Sequence, residues 1–473
     1  MKKYIWMLFS SVLTLMGCAS QRASETHALA IVGATVVHAE REGAAAVSRN
    51  MTIVIRGERI ESVGPAATTP VPANSQIIDG KGKWVIPGLI DSHVHFFQSG
   101  NLYTRPDVID LNGRLPYAQE VARNKARLSA TFKVWLASGV TGVVDVGGPF
   151  WNFEVRDLAR KTEAAPRVAV AGPLISMVDD PALDVGDPPI IKVTSEAQAR
   201  DLTQRELARK PNYVKSWFIH RPSDDLDAQT LIVKAAIDTA HAGGVPFAVH
   251  ATELVVAKAA LRAGADFLVH SVEDEPIDDE FIALMKRNHA IYCPTLFVTM
   301  GYDYALSNQW SATEAESRLA DPQVLKSMND LSSIPEESLP KYVVRAMQEK
   351  KPPRLSPVMA DNLRRVWAAG IPVAMGTGAG NIGTLHGPSV FREMALMQEA
   401  GLTPLQVLRA ATLNGAHALR LENDVGVVGP GKLADLVILD EDPLSDLSNL
   451  SHAHRVIKNG VVFDPLALVN SMR

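Results

Sequence analysis

The stretch Val85–Phe97 reads V-I-P-G-L-I-D-S-H-V-H-F-F, a Pro-Gly corner followed by a short apolar run that ends in two histidines. Residues two apart on a β-strand point to the same side, so His93 and His95 are predicted to project together while Val94 turns away. Two neutral imidazoles on one side of a strand suit a borderline divalent cation such as Zn²⁺. A bare H-x-H also occurs as two half-buried polar residues, and the rest of the chain has to distinguish the two interpretations.

Strand-like and helix-like runs alternate from residue 89 to residue 423, which is typical of parallel βα units. Eight strands are predicted, at 89–95, 139–146, 167–171, 213–217, 246–250, 267–270, 290–296 and 372–376. Eight parallel strands close a (β/α)8 (TIM) barrel, which carries its catalytic residues at the C-terminal strand ends. We therefore predict an α/β fold with a TIM barrel over residues 89–423. The linker 301–357 is too long for a simple loop and is predicted to form a helical cap.

Short β-like runs lie on both sides of the barrel, at 29–88 and at 424–473. Neither set could bury an apolar face alone, so we predict that the N- and C-terminal segments join in one small β-sandwich.

The motif P-G-L-I-D-S-H-V-H resembles the first barrel strand of the amidohydrolase superfamily, and Gly-Lys-Leu-Ala-Asp-Leu-Val resembles its closing sandwich strand. The likeness is greatest to the imidazolonepropionase-like and prolidase-like branch and extends from Ile31 to Phe463. It implies a metal-dependent hydrolase that cleaves the C–N bond of a small amide, a dipeptide or a cyclic amide. It leaves the individual substrate and the oligomeric state open.

Three further polar residues fall at predicted strand ends: Lys215, His250 and His270. Four histidines at the ends of barrel strands favour metal ligation over four unrelated polar residues. The resemblance implies two divalent ions, expected to be Zn²⁺, with His93 and His95 on one ion and His250 and His270 on the other. It also implies that His270 takes part in catalysis, with a metal-bound hydroxide as the nucleophile.

Lys215 requires its own explanation, because an ammonium group cannot bind a cation. Burial near two divalent ions disfavours the charged amine and lowers its pKa. The neutral amine can add CO₂, and the resemblance implies that the resulting carbamate is a ligand shared by both ions. The alternative is a lysine whose ammonium group extends to solvent.

One position departs from the resemblance. The eighth strand of the superfamily normally ends in Gly-Thr-Asp, where the Asp binds a metal and moves a proton, but this chain has Gly376-Thr377-Gly378. A positioned proton-transfer group contributes about 10²–10⁴-fold to rate, and glycine cannot supply one. One ion is therefore expected to bind weakly, with Glu253, Glu273 or Asp274 as substitute carboxylates. The rival interpretation is a surface lipoprotein that keeps the barrel but binds a ligand with little or no turnover.

Two residues outside the ligand set are predicted to contact the substrate. His386 resembles the substrate-facing histidine that follows strand eight, and a catalytic role is expected for it as well. Trp217 belongs to a group of aromatic residues in the strand-end loops, which would either line an apolar substrate pocket or pack beneath the cap. The group comprises Phe96, Phe97, Phe150, Trp151, Trp217 and Phe218.

Residues 1–18 are predicted to be an export signal, with Lys2-Lys3, an apolar core and the ending Leu15-Met16-Gly17-Cys18. The Leu-x-Gly-Cys ending resembles a bacterial lipobox, in which Cys18 is lipidated; a plain secretory signal is the alternative. A lipidated Cys18, followed by a linker at 19–28, would anchor the protein on the periplasmic face of the outer membrane or the cell surface. The formal charge of −5 argues against a nucleic-acid partner and leaves a small-molecule substrate.

Overall fold

The computed structural model describes residues 28–472, so the predicted export signal and Cys18 lie outside the described residues. Within residues 28–472 the chain forms 17 strands and 16 α-helices. The strands are β1 (Leu29–Val37), β2 (Val47–Arg56), β3 (Arg59–Pro65), β4 (Gln76–Asp79), β5 (Trp84–Pro87), β6 (Leu89–Val94), β7 (Val140–Asp145), β8 (Arg167–Val170), β9 (Leu174–Ser176), β10 (Ile190–Lys192), β11 (Val214–Trp217), β12 (Phe247–His250), β13 (Phe267–Val269), β14 (Ile291–Cys293), β15 (Leu436–Leu439), β16 (Ala453–Lys458) and β17 (Val461–Phe463).

The helices are α1 (Tyr117–Ala126), α2 (Leu128–Ala137), α3 (Asn152–Ala159), α4 (Glu196–Leu207), α5 (Leu226–Ala242), α6 (Leu254–Ala263), α7 (Asp279–Arg287), α8 (Leu296–Leu306), α9 (Glu314–Leu319), α10 (Pro322–Ser327), α11 (Lys341–Glu349), α12 (Pro357–Ala368), α13 (Ser389–Glu399), α14 (Pro404–Ala411), α15 (Leu413–Ala418) and α16 (Pro465–Asn470). No helix among residues 28–472 is both long and apolar enough to cross a bilayer.

The terminal segments join in one eight-stranded sheet of order β17-β16-β15-β5-β1-β2-β3, with β4 beside β1. The two segments meet where β5 pairs antiparallel with β15. The sheet curls back on itself, because Ile60 of β3 donates its N–H to the carbonyl of Lys432, just before β15, over 2.8 Å. Alternate side chains from both segments, such as Ile31, Ile53 and Leu436, enclose one apolar core. The predicted β-sandwich is thereby confirmed.

The barrel wall contains the parallel ladders β6-β7-β8 and β9-β11-β12-β13-β14. β8 and β9 are two halves of one wall strand, which Gly172 and Pro173 interrupt. The first half pairs with β7, and Ile175 in the second half pairs with Ser216 of β11. The third strand thus extends beyond the predicted 167–171, and its break lies at a proline, which has no N–H to give to a ladder.

Residues 372–379 close the barrel as an extended segment between β14 and β6. Tyr292 of β14 donates its N–H to the carbonyl of Pro372 over 2.9 Å, and Ser92 of β6 donates to Met375 over 2.8 Å. The eighth wall position was predicted as a strand at 372–376, and it is filled at that place. β14 is shorter than the predicted 290–296, because helix α8 already begins at Leu296. The TIM barrel is confirmed.

The long linker after β14 folds into short helices, α8 to α11. Their apolar faces form a cluster with the loop that follows β6, in which Leu102 and Ile109 pack with Leu331 and Val343. Ile382, from the loop after the eighth wall segment, joins the same cluster. These helices therefore pack against loops at the C-terminal ends of the barrel strands.

Candidate active site

Four imidazole rings form a continuous cluster at the C-terminal ends of three barrel strands. The ring centroids lie 5.1 Å apart for His95 and His93, 4.6 Å for His93 and His270, and 4.5 Å for His270 and His250. His93 is in β6 and His95 directly follows it, while His250 ends β12 and His270 follows β13. The structure therefore brings together all four histidines that the sequence predicted to be metal ligands.

The two histidines of the first strand are spaced as two ligands of one metal ion would be. Nε2 of His93 and Nε2 of His95 are 3.2 Å apart. Two nitrogens at 2.0–2.1 Å from one tetrahedral ion are separated by about 3.3 Å. Nδ1 of His95 is 2.7 Å from the carbonyl oxygen of Gly147, so a proton on Nδ1 leaves Nε2 free to act as a ligand.

The protonation state of the cluster suits ligation. Burial, reinforced by the positive charge of Lys215, lowers the pKa of His95 and of His250 to about 3. Burial also holds the pKa of His93 and of His270 well below the ordinary value. All four rings are therefore neutral at neutral pH, which is the form that binds divalent metals.

Lys215 lies among these rings, and its charge contributes to the lowered pKa of each of the four histidines. The side chain is 1% exposed, and within residues 28–472 its ammonium group makes no hydrogen bond or ion pair. Burial lowers its pKa to about 7, although Cys293 and Asp145 oppose this. A solvent-directed lysine is therefore not what the structure contains. Among residues 28–472, no three His, Cys, Asp or Glu side chains are arranged to hold a metal by themselves.

Gly378 occupies the place where the resemblance expects an aspartate. Its φ is +69°, and its N–H donates to the carbonyl of His93 over 2.7 Å. A Cβ added there would lie 2.8 Å from Cγ2 of Val298 on α8. The left-handed backbone and the nearby valine methyl leave little room for a side chain.

The proposed substitute carboxylates differ in their surroundings. Asp274 is exposed, and its Oδ1 accepts a hydrogen bond from the N–H of Leu254 over 2.9 Å, which caps α6. Glu253 is the residue that precedes α6. Glu273 is partly buried, and burial raises its pKa. Asp274 therefore also stabilises the start of α6.

His386 lies apart from the four rings. It stacks on Phe96 with centroids 5.4 Å apart, contacts the edge of Trp135, and places Nε2 2.8 Å from the carbonyl oxygen of Gln98. It also lines a separate cavity of about 310 Å³ between α1 and the cap. None of the four clustered histidines lines that cavity, although the charge of His386 contributes to the lowered pKa of His95.

Of the predicted aromatic group, two members contact the histidine cluster. Trp217 is half-buried, and its ring centroid is 6.2 Å from that of His250. Phe97 packs edge-on against His95 at 5.7 Å. Phe96, Trp151 and Phe218 are buried in the apolar core, so packing explains them better than a substrate pocket.

Sequence reasoning missed two buried carboxylates that hold the site together. Asp145, at the end of β7, accepts hydrogen bonds from the N–H groups of Phe96 and Gly147, at 2.9 and 3.0 Å. Asp91 in β6 accepts from the Thr377 hydroxyl over 2.6 Å. Burial raises the pKa of each carboxyl to about 7. Both are acidic residues within predicted barrel strands, and that position was the signal available.

Arg105 was also missed, because it lies in an irregular loop after β6. Its guanidinium donates to Asn381 Oδ1 over 3.0 Å and to the hydroxyl of Tyr302 over 3.1 Å, and it forms an ion pair with Asp107. Its positive charge contributes to the lowered pKa of His95 and of His250. The Arg105 guanidinium therefore adds a positive charge near the cluster, beside the loop that follows the eighth wall segment.

The comparisons with known proteins agree with this architecture. The chain matches the amidohydrolase family over residues 84–462. It is 24% identical to the imidazolonepropionase of Brevibacillus brevis over 413 residues, which cover 82% of each chain. The crystal structure of a putative prolidase from Bifidobacterium longum is 26% identical, with a TM-score of 0.68 over 94% of this chain and 99% of that one. A solved Xaa-Pro dipeptidase structure with bound methionine superposes with a TM-score of 0.67 at 22% identity, over 92% of this chain and 100% of that one.

Amidohydrolases cleave carbon–nitrogen bonds and generally depend on divalent metal ions. The match covers most of the chain and includes every strand of the barrel. This chain belongs to the amidohydrolase family.

Proposed function

We propose that the protein hydrolyses small amides, dipeptides or cyclic amides with divalent ions, expected to be two Zn²⁺, held by the four histidines and a carbamate on Lys215. The observation that carries the proposal is the position of a buried amine without a partner among four neutral imidazoles. A buried amine with a pKa near 7 has a substantial neutral fraction at neutral pH, and only the neutral amine adds CO₂.

Divalent ions bound there would polarise the scissile carbonyl and activate water. The chain's own residues prepare the site for this chemistry. The carbonyl of Gly147 orients His95, and the hydroxyl of Thr295 orients His270. Trp217 borders His250 and is the aromatic surface against which an apolar substrate group would pack.

The test is metal analysis of the purified full chain together with a hydrolysis screen on dipeptides and cyclic amides, before and after chelation. We expect activity to fall on chelation and to return with Zn²⁺, Mn²⁺ or Co²⁺. His250→Ala is expected to lose metal and activity together. His452→Ala is the matched control, because that histidine is 44% exposed and contacts Glu314 instead of the cluster. A fully active, metal-free wild type would overturn the proposal.

A second candidate is a ligand-binding protein with little or no turnover, and Gly378 is the observation that favours it. Neither a metal ligand nor a proton acceptor is available at that position, and Val298 restricts the space beside it. The same screen distinguishes the two functions, because this one predicts saturable binding of a substrate analogue without product formation.

We further propose that Cys18 is lipidated and holds the protein on the periplasmic face of the outer membrane or the cell surface. The support is the sequence pattern of a charged start, an apolar core and the ending Leu-Met-Gly-Cys. Full-length protein and its Cys18→Ala variant should be expressed in a Gram-negative host and fractionated. We expect wild type in the membrane fraction and the variant in the soluble fraction, and equal solubility of the two would contradict lipidation.

A further inference from the structure

A large polar cavity lies at the end of the barrel opposite the four histidines, where the barrel floor meets the β-sandwich. Its volume is about 730 Å³, within the range of small-molecule sites. The start of β8, the residues after α15 and the β16–β17 turn form its walls. The N-terminal face of a TIM barrel usually serves stability, so a cavity of this size there calls for an explanation.

The lining of the cavity is predominantly basic. Its cationic residues are Arg160, Lys161, Arg167, Arg420 and Lys458, and its carboxylates are Glu58 and Glu163. This excess of positive charge contrasts with the formal charge of −5 for the chain as a whole. A concave surface with one sign of charge concentrates ligands of the opposite sign.

Lys458, the last residue of β16, is the central observation. It is only 5% exposed, and within residues 28–472 its ammonium group makes no hydrogen bond or ion pair. Burial lowers its pKa to about 8, although the carboxylates of Asp435 and Glu58 counteract this. The side chain is thus mostly withdrawn from water and has no direct counter-ion, and an anion bound in the cavity would supply one.

Arg167, at the start of β8, is held rigidly at the wall of the same cavity. Its Nε donates to Oδ2 of Asp435 over 2.9 Å, and its guanidinium also contacts the side chain of Asn459. Asp435 in turn accepts the N–H of Asn459 over 2.9 Å. The barrel wall and the sandwich turn are thus fixed to each other beside Lys458.

We propose that this cavity binds a phosphate group, with Lys458 as the buried contact and the exposed Arg160, Lys161 and Arg420 at the rim. A phosphate group presents several charged oxygens at once and suits a ring of separate cations better than a single carboxylate does. The phosphate would belong either to a soluble compound or to the headgroup of an anionic phospholipid.

The phospholipid alternative is supported by the place where the chain enters the sandwich. Leu29 pairs with Ile55, next to the β2–β3 turn that carries Glu58 at the edge of the cavity. If Cys18 is lipidated, as proposed above, the linker 19–28 reaches at most about 35 Å from this point. The cavity would then lie within reach of the membrane surface.

The test uses the purified full chain and inorganic phosphate. Calorimetry and thermal denaturation are carried out in sodium phosphate and in sodium chloride of equal ionic strength. We expect phosphate to bind saturably and to raise Tm, and Lys458→Met to weaken the affinity at least tenfold. The exposed Lys286 of α7 does not line the cavity, so Lys286→Met is the control and is expected to bind like wild type.

The lipid source is tested with Cys18→Ala protein, so that an acyl anchor cannot cause binding. It is sedimented with vesicles of phosphatidylglycerol or of phosphatidylcholine, with and without Lys458→Met. If the protein prefers phosphatidylglycerol and Lys458→Met abolishes that preference, the phosphate belongs to a lipid headgroup. If phosphate binds but no such preference is seen, the phosphate belongs to a soluble compound. Should Lys458→Met fail to fold, Arg160→Gln/Arg420→Gln takes its place. Absence of binding to both probes, or unchanged binding by the variants, overturns the proposal.

Discussion

Nδ1 of His270 lies 2.6 Å from Oγ1 of Thr295, and both residues have left-handed backbones, with φ of +76° and +44°. A positive φ is unfavourable for a β-branched residue such as threonine and indicates a locally enforced geometry. The carboxylate of Glu393 supplies the enforcement, because it accepts the N–H groups of Leu296 and Phe297 at 2.9 Å and fixes the start of α8. The consequence is that Nε2 of His270 remains available to the cluster.

The first prediction concerns Thr295. Thr295→Val keeps the branched shape but removes the hydroxyl, so we expect metal affinity to fall by about 10–100-fold, as is usual when the partner of a ligating histidine is lost. Metal content after dialysis against graded chelator concentrations measures the change. Thr295→Ser is the matched control, because it keeps the hydroxyl and lacks the β-branch. Equal metal affinity in the valine variant would show that His270 needs no partner.

The second prediction concerns Lys215. Lys215→Ala is expected to lose most bound metal, because no set of His, Cys, Asp or Glu within residues 28–472 completes a site alone. Added bicarbonate is expected to speed metal reloading of the chelated wild type but not of the variant. Reloading is followed by metal analysis, which does not depend on activity. Full metal occupancy in Lys215→Ala would contradict the carbamate.

The third prediction concerns Gly378. Gly378→Asp alone is expected to lower Tm, because φ is +69° and the new Cβ would lie 2.8 Å from Cγ2 of Val298. Adding Val298→Ala removes that clash and is expected to recover part of the stability. In the folded double variant we expect hydrolysis to rise at least tenfold, toward the roughly 10²–10⁴-fold effect of a positioned proton carrier.

Val298→Ala alone is the control for the third prediction and is expected to change stability but not rate. A double variant that folds, binds metal and is no faster would show that another group already carries the proton.

The fourth prediction concerns Asp180. Burial, and then repulsion by the neighbouring Asp107, raises the pKa of Asp180 to about 6. Asp107 forms an ion pair with Arg105, whose positive charge contributes to the lowered pKa of His95 and of His250. The Asp107–Asp180 pair is thereby coupled to the histidine cluster. Loss of the Asp180 proton adds a negative charge beside Arg105, which offsets the positive charge of Arg105 near the cluster and favours bound cations, so kcat/KM should rise as pH increases through about 6. Asp180→Asn should remove that limb of the profile, and an unchanged profile would show that Asp180 does not influence the rate.

The fifth prediction concerns stability. Glu206 in α4 is buried beside Gly172, neither carboxylate oxygen has a well-formed hydrogen bond, and burial raises its pKa well above the ordinary value. The folded state therefore retains a proton that the unfolded chain releases, so Glu206 lowers stability as pH rises above about 4.5. Glu206→Gln should raise Tm more at pH 8 than at pH 5, measured by scanning calorimetry. A constant difference would mean that Glu206 does not titrate on unfolding.

The ligand candidates on the barrel were accessible from sequence because parallel strands place their C-terminal ends at one mouth. A histidine at the end of an apolar run is therefore predicted to lie at that mouth. For this reason, separate motifs could assign His93, His95, His250 and His270 to one site. The β-sandwich was accessible for a related reason, since neither terminal segment could bury an apolar face without the other.

Sequence alone determined the α/β barrel, the sandwich and the histidine cluster, because these follow from apolar periodicity and local strand position. Only the tertiary structure decided the role of groups whose partners are distant in sequence. The position of His386 depends on Phe96 and Gln98, and the orientation of His270 depends on Thr295. Likewise, the restricted space beside Gly378 depends on Val298. Each of these contacts joins different elements, and no periodicity within one element can encode the distance to a side chain on another.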